Sequence, residues 1–304
     1  MKRKVIQIAG STQLVSLPRE WAKQQGIKKG DELEVNVQGD KIVVGKEGKE
    51  NQFNRIELDV TNLGARVRKI VGAAYKGGYD EVKFNFSGGD ELQHIQEILK
   101  SHCVGFEIVE QNPDYVIARK ISDEIYGEFD AVLRRTFLTL LTMAKEGFDA
   151  IKNQQISRLR NVILMDSSVN KFTYFCRRVL NKRGYPDFKK TAPLYYIVDE
   201  LEEVGDQYKL ACHLILDNKL KLNKKLLEIH QEMNKQLEAF YELFYKFGLD
   251  KLVLFLEKKA SLDAKIKRLL GKLSAIEHRL LFCMFTISEK LNEMDGPLVL
   301  LKYF

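Results

Sequence analysis

Two sets of side chains have types and spacings suited to chemistry. The first is acidic. Glu202 and Asp206 stand four residues apart in the run Asp199-Glu200-Leu201-Glu202-Glu203-Val204-Gly205-Asp206, so on a helix both face one way. They border an apolar stripe of Ile197, Leu201, Val204, Tyr208, Ala211 and Ile215. Upstream, Asp166 and Asn170 repeat the spacing beside Val162, Met165, Val169, Phe172 and Cys176. Oxygen ligands on two antiparallel neighbours suit a hard cation. The same spacing also fits a solvated acidic edge, or carboxylates paired with Lys and Arg. The second set is basic. Residues 1–30 hold seven cations (Lys2, Arg3, Lys4, Arg19, Lys23, Lys28, Lys29) against one anion, Glu20, whereas residues 31–50 hold three cations and six anions. Such a local excess suits a phosphate-rich partner, and it also occurs on plain solvated faces.

Other chemistry finds few residues to carry it. There is no GxxxxGK[ST] phosphate loop and no HExxH. The five histidines show no i, i+4 pairing. Cys103, Cys176, Cys212 and Cys283 are scattered without a CxxC pair and read as buried free thiols. The expectation is a protein that is not an enzyme.

The elements that must position these residues fall into three zones. Residues 1–50 read as short strands (4–8, 14–17, 33–37, 42–44) around a helix over 19–25, opened by Pro18 and stopped by Gly26. Four such strands bury too little core for a lone module, which should therefore pair with a second copy. Residues 47–52 are polar and read as a linker. Residues 51–121 read as a small α/β domain in the order βαβαββ, one sheet covered by two helices. Over 122–304 the 3.6-residue period takes over, in six segments: about 122–152, 154–183, 192–219, 221–247, 249–270 and 273–294. They fit two three-helix bundles in tandem, expected to stack as one rod.

The bulk composition sets the compartment. The 304 residues are 45% hydrophobic and 30% charged with five prolines and a net charge of +7, as in globular chains. No apolar run approaches the ~18 residues of a membrane span. The basic N-terminus lacks an apolar signal core, since Gln7, Ser11, Thr12 and Gln13 interrupt it. The chain is expected in the cytoplasm, with no membrane insertion.

Two resemblances add to this reading. Leu17-Pro18-Arg19-Glu20, then Gly26-Ile27-Lys28-Lys29-Gly30-Asp31-Glu32-Leu33 and an alternating strand, resembles the SpoVT/AbrB DNA-binding family over about residues 3–47. The resemblance implies a swapped-hairpin β-barrel made by two chains, a homodimer that binds DNA, with Arg3, Lys4, Arg19 and Lys23 as contacts. Where that family often carries two adjacent basic residues on the short helix, this chain has Ala22 and Lys23. The helical region resembles PhoU, the phosphate-uptake regulators: Leu201-Glu202-Glu203-Val204-Gly205-Asp206 matches their acidic ExxxD motif. That resemblance implies a divalent or iron-type metal ion on Asp166, Glu202 and Asp206. In the second bundle Asp263 is followed at i+4 by Lys267 and Glu277 by Leu281, so no second ligand set is implied. The two families in one chain resemble archaeal PhoU-like regulators.

The expectation is a multi-domain α+β protein: an N-terminal AbrB-type swapped-hairpin β-barrel, a small central α/β domain and a C-terminal PhoU-like helical bundle. The resemblances imply a DNA-binding transcriptional regulator of phosphate uptake or phosphate homeostasis. Its bundle would receive the signal, with a phosphate transporter subunit or a signalling kinase as protein partner. The alternative is a non-DNA-binding adaptor that regulates the transporter or kinase through protein contacts. A metal-dependent hydrolase on Glu202, Asp206 and Asp166 is a third reading, against which the missing acids of the second bundle count.

Overall fold

The computed structural model describes residues 2–8, 10–38, 41–45, 53–121 and 128–303. The linker expected over 47–52, the turn at 39–40 and the start of the first long helix near 122 lie outside the described residues. The chain divides into two units, Met1–Gln52 and Phe53–Phe304.

In the first unit, β1 (Val5–Ile8) pairs antiparallel with β2 (Thr12–Val15), Val5 opposite Val15. Pro18, with its ring-fixed φ, leads into α1 (Arg19–Gln24). The helix stops at Gly26, whose φ of +60° is cheap only for glycine. A second antiparallel hairpin follows, β3 (Glu34–Gln38) with β4 (Lys41–Gly45), Val35 opposite Val44. Each hairpin is its own two-stranded sheet. Among the described residues none in this unit is buried. Val5, Ile6, Ile8, Leu14, Val15, Val35, Val37, Ile42 and Val43 all stand exposed. Two-stranded hairpins with wet apolar faces are marginal on their own, so this unit in a single copy has no core to hold it.

The second unit begins with the α/β zone: β5 (Arg55–Asp59), α2 (Val67–Lys76), β6 (Glu81–Asn85), α3 (Gly89–His102), β7 (Phe106–Gln111) and β8 (Tyr115–Lys120). The expected βαβαββ order stands. The sheet order is β5-β6-β8-β7, with β5 and β6 parallel and the other pairs antiparallel. Inward residues of the strands (Val82, Phe84, Val116, Ala118) meet Val67, Val71 and Tyr75 of α2 and Ile95 and Leu99 of α3 in one core. The opposite face is polar and paired, as in Glu57 with Lys83 and Glu81 with Arg119. The helices are therefore sandwiched: they cover the sheet, and they also pack on the bundle through α5.

The bundle helices are α4 (Phe129–Lys152), α5 (Leu159–Arg183), α6 (Thr191–Asp217), α7 (Lys224–Tyr245), α8 (Leu249–Leu269), α9 (Ala275–Glu293) and α10 (Asp295–Tyr303). Caps mark several starts: Asn223 accepts from the Leu226 N–H, and Ser274 with Glu277 forms a capping box. α4, α5 and α6 form one three-helix set, and α7, α8 and α9 the other. The rod expected from tandem bundles does not form. The sets lie side by side, α6 along α9 and α4 along α7, and share one core. Phe137 of α4 meets Phe240 and Phe244 of α7, and further along Asn234 donates to the Ala144 carbonyl at 2.8 Å. Apolar stripes broad enough to face two neighbours make this the better burial. Among the described residues no helix is long and apolar enough to cross a membrane.

Candidate functional site

Two of the expected contacts stand at the open end of the first hairpin and two on the helix that follows it. Arg3 and Lys4 precede β1, and the ladder that sets Val5 opposite Val15 carries them beside the segment entering α1. Arg19 and Lys23 lie i, i+4 on α1, while Trp21 and Ala22 turn inward and are half-buried. That orientation explains an alanine at 22, because the position faces the body of the unit. Arg3, Lys4, Arg19 and Lys23 are all exposed, and among the described residues none of the four is engaged in an ion pair.

The acidic motif sits where α5 and α6 cross closely. At Gly205 a Cβ would come within 3.1 Å of Val169, so glycine is what allows the approach. Asp166 is buried on α5. Its Oδ2 accepts from Lys209 Nζ at 2.6 Å and from Asn170 at 3.1 Å, and the same ammonium reaches Asp206 at 2.7 Å. Glu202 turns away to Arg177, with Thr173 donating to it at 3.2 Å. Arg177 also pairs with Asp199. Burial raises the Asp166 pKa, against the pull of its Lys209 hydrogen bond. Burial also works against the Lys209 charge, but hydrogen bonds to Asp166 and Asp206 more than reverse it and hold its pKa above 10.5.

These contacts engage all three expected ligands with the chain's own cations. Asp166 and Asp206 share an ammonium supplied by the chain itself, and Glu202 is committed to a guanidinium. Asp166 Oδ1 has no hydrogen-bond partner, yet a divalent ion placed on it would have to share both aspartates with a fixed positive charge. Among the described residues no three His, Cys, Asp or Glu side chains are grouped to hold a metal. The residues present do not fit one.

The second three-helix set repeats the device. Lys259 of α8 donates to Asp263 at 2.6 Å and pairs with Glu289 of α9 at 2.7 Å. The spacing argument looked four residues beyond Asp263, at Lys267, and missed that the partners lie four residues before it and on the next helix.

The α/β zone covers the first motif. Lys76 Nζ stands 4.4 Å from the Tyr174 ring centroid, Arg177 lies 5.2 Å from it, and His102 packs against the same ring at 5.0 Å. Burial, then Arg177, lowers Lys76 to about 8; burial, then Lys209, lowers His102 to about 4. Deeper in the joint, Asp80 is fully buried and accepts from Arg178 at 3.1 Å and from Lys182, with the Asn54 N–H at 3.0 Å and Lys120 at 3.6 Å. Arg178 donates to the carbonyls of Tyr75 (2.9 Å) and Tyr79 (2.6 Å) and lies over the Tyr75 and Phe106 rings. Sequence reasoning singled out none of these residues. The available signal was Arg177-Arg178 directly after Cys176, two cations where the helix is otherwise closing on its core.

Residues 6–52 match the family described as antidote-toxin recognition MazE, bacterial antitoxin. No curated protein matches the chain. Among solved structures, the phosphate transport system regulatory protein PhoU from Streptococcus pneumoniae is similar to it at 15% identity and a TM-score of 0.48, covering 59% of this chain and 95% of that one.

Proposed function

We propose that this protein is a cytoplasmic, dimeric DNA-binding regulator of phosphate uptake or homeostasis rather than an enzyme. The observation that carries the reading is the first unit: a segment similar to an antitoxin family, with four unpaired, exposed cations at the open end of its first hairpin and on the helix that follows. Its exposed valines and isoleucines call for a second copy, and pairing hairpins from two chains buries them. A dimer doubles the cations to a surface that engages phosphates on both sides of a two-fold axis, with Arg3 and Arg19 proposed as the side chains that read base edges or a groove. The helical bundle, by its acidic-motif resemblance to the phosphate-uptake regulators, receives the signal from a transporter subunit or kinase. No metal enters this reading, because the chain's own lysine and arginine take the carboxylates.

The test is retention of fragments of the source genome by the full chain across a salt series, beside a variant with Arg3, Lys4, Arg19 and Lys23 all replaced by Ser. The wild type should retain a subset of fragments with a steep salt dependence. The variant should lose retention, and each phosphate-contacting cation removed should flatten the slope by about one. Equal retention by both proteins refutes the contact assignment. No selective retention by either makes the first unit a dimerisation device and favours the adaptor reading.

A further inference from the structure

One face of α8 is built in two unlike halves. Leu249, Val253 and Leu256 follow i, i+4, i+7 on its outward stripe, which continues through Ala260 and Ala264. Leu249 is 58% exposed and Val253 54%, with Leu254 beside them at 53%. Toward the C-terminal end the stripe's only apolar residues are the two alanines, and the protruding apolar side chains are Leu270 and Phe282, 57% and 65% exposed, on the rim of a groove. This apolar groove of about 530 Å³ lies between α8 and α9, walled by Ile266, Leu270, Leu281, Phe282 and Phe285. Charge divides the same way along one flank. Asp250 and Glu257 lie on it toward the N-terminal end and Arg268 toward the C-terminal end, while Lys267, about five turns from Leu249, stands on the stripe at the edge of the groove. Among the described residues none of these four forms an ion pair. The remaining cations of the helix are used elsewhere or point to the far flank: Lys259 holds Asp263 and Glu289, Lys265 pairs with Glu232, and Lys251 donates to the Lys246 carbonyl.

We infer that α8 docks antiparallel against α8 of a second copy of this chain. A two-fold axis near residue 258 brings the protruding Leu249–Val253 end of each copy to the groove of the other, and Asp250 of each to Lys267 and Arg268 of the other. Knobs meet holes and acids meet bases in one operation, which is the self-complementarity that an isologous interface requires. A parallel pairing would set leucines on leucines and leave both grooves empty. An anionic lipid surface suits the leucines but would be repelled by Asp250 and Glu257 among them. This contact is separate from the first unit, so it adds a second two-fold association to the dimer proposed above and does not depend on it.

The experiment measures the mass of the full chain by sedimentation velocity across micromolar concentrations. The wild type should reach at least twice the mass of Val253→Glu/Leu256→Glu, whatever the first unit contributes to both. Asp250→Arg and Arg268→Asp should each weaken the larger species, and the two together should restore it. Leu249→Cys/Leu270→Cys should give chains cross-linked to one another on oxidation. The two positions are about 30 Å apart within one helix, so a bond between them must join two copies. The four native cysteines are buried and free. Equal mass for the wild type and the glutamate variant overturns the proposal. So does cross-linking by Leu249→Cys alone, which reports a parallel contact. Unchanged mass combined with glutamate-sensitive sedimentation on phosphatidylglycerol vesicles assigns the face to lipid and overturns it equally.

Discussion

The two three-helix sets solve one problem with the same chemistry and different burial. In each, a lysine joins a carboxylate of the second helix to one of the third: Lys209 between Asp166 and Asp206, Lys259 between Asp263 and Glu289. In the first clasp Asp166 is only 5% exposed in its side chain while Asp206 and Lys209 remain 42% and 32% exposed; in the second, Lys259, Asp263 and Glu289 are 17%, 20% and 33% exposed. A charge left alone on Asp166 has no water to turn to, and one left alone on Glu289 does. Burial, more than the ion pair itself, sets what each clasp is worth.

The largest expected effect comes from the joint between the α/β zone and the bundle. Arg178→Met takes one of its cations from Asp80, which has no exposed surface and keeps Lys182, and removes two bonds to carbonyls that close the turn after α2. We expect a loss of about 3–5 kcal/mol in urea unfolding, the range for breaking one half of a buried pair. The α/β zone should loosen from the bundle, seen as faster hydrogen exchange in α2 and along α5. A loss below about 1 kcal/mol would mean that Lys182 and Lys120 hold Asp80 without the arginine, and that packing alone makes the joint.

A paired substitution tests the clasps directly. Lys209→Met should cost about 2–3 kcal/mol, because Asp166 keeps only Asn170 as donor. Lys259→Met should cost no more than about 1 kcal/mol, because Asp263 and Glu289 can rehydrate. The midpoint shift in urea at constant slope checks both. Equal costs would erase the distinction drawn from burial.

Much of this molecule is legible along the chain, and its clasps are not. Periodicity locates the six long helices and the βαβαββ order, since those signals repeat within a window of residues. The stripe Ile197, Leu201, Val204, Tyr208, Ala211, Ile215 is buried in every member except for traces of surface at Ala211 and Tyr208. α10 lies beyond the last segment read, 273–294, and its Pro297 sits in the first turn, where proline is welcome. The clasps escape for a reason of their own. Asp166 and Lys209 are 43 residues apart, and only the register of α5 against α6 brings them together. A four-residue spacing on one helix shows which carboxylates share a face. It carries no information about which cation the neighbouring helix, or the next turn, will place between them.

The smallest effect expected is one of pH, and it separates the covered clasp from the open one. His102 packs over the first clasp, where burial first, then Lys209 and Lys76, oppose its protonation and Asp206 favours it. Its folded pKa, about 4, lies below the ordinary 6.5, so the unfolded chain binds the proton first. Stability from this group is therefore complete above pH 6.5 and is lost as the pH falls through the window between 6.5 and about 4. His230, buried in the bundle beside Phe148, is lowered to about 4 by burial alone and contributes a second share with the same sign. Each share has a limiting slope of about 1.4 kcal/mol per pH unit within the window, less where the group keeps some contact with water. In His102→Gln the slope of urea midpoint against pH should drop by one share and the His230 share should remain. Lys259→Met should leave the slope as in the wild type, since His278, which shares the groove with Asp263 and Glu289, bonds to Gly271 and Ser274 and not to the clasp. A slope unchanged by His102→Gln would mean that the α/β zone opens readily enough for His102 to titrate in water, and the two clasps would then be equally exposed to solvent in solution.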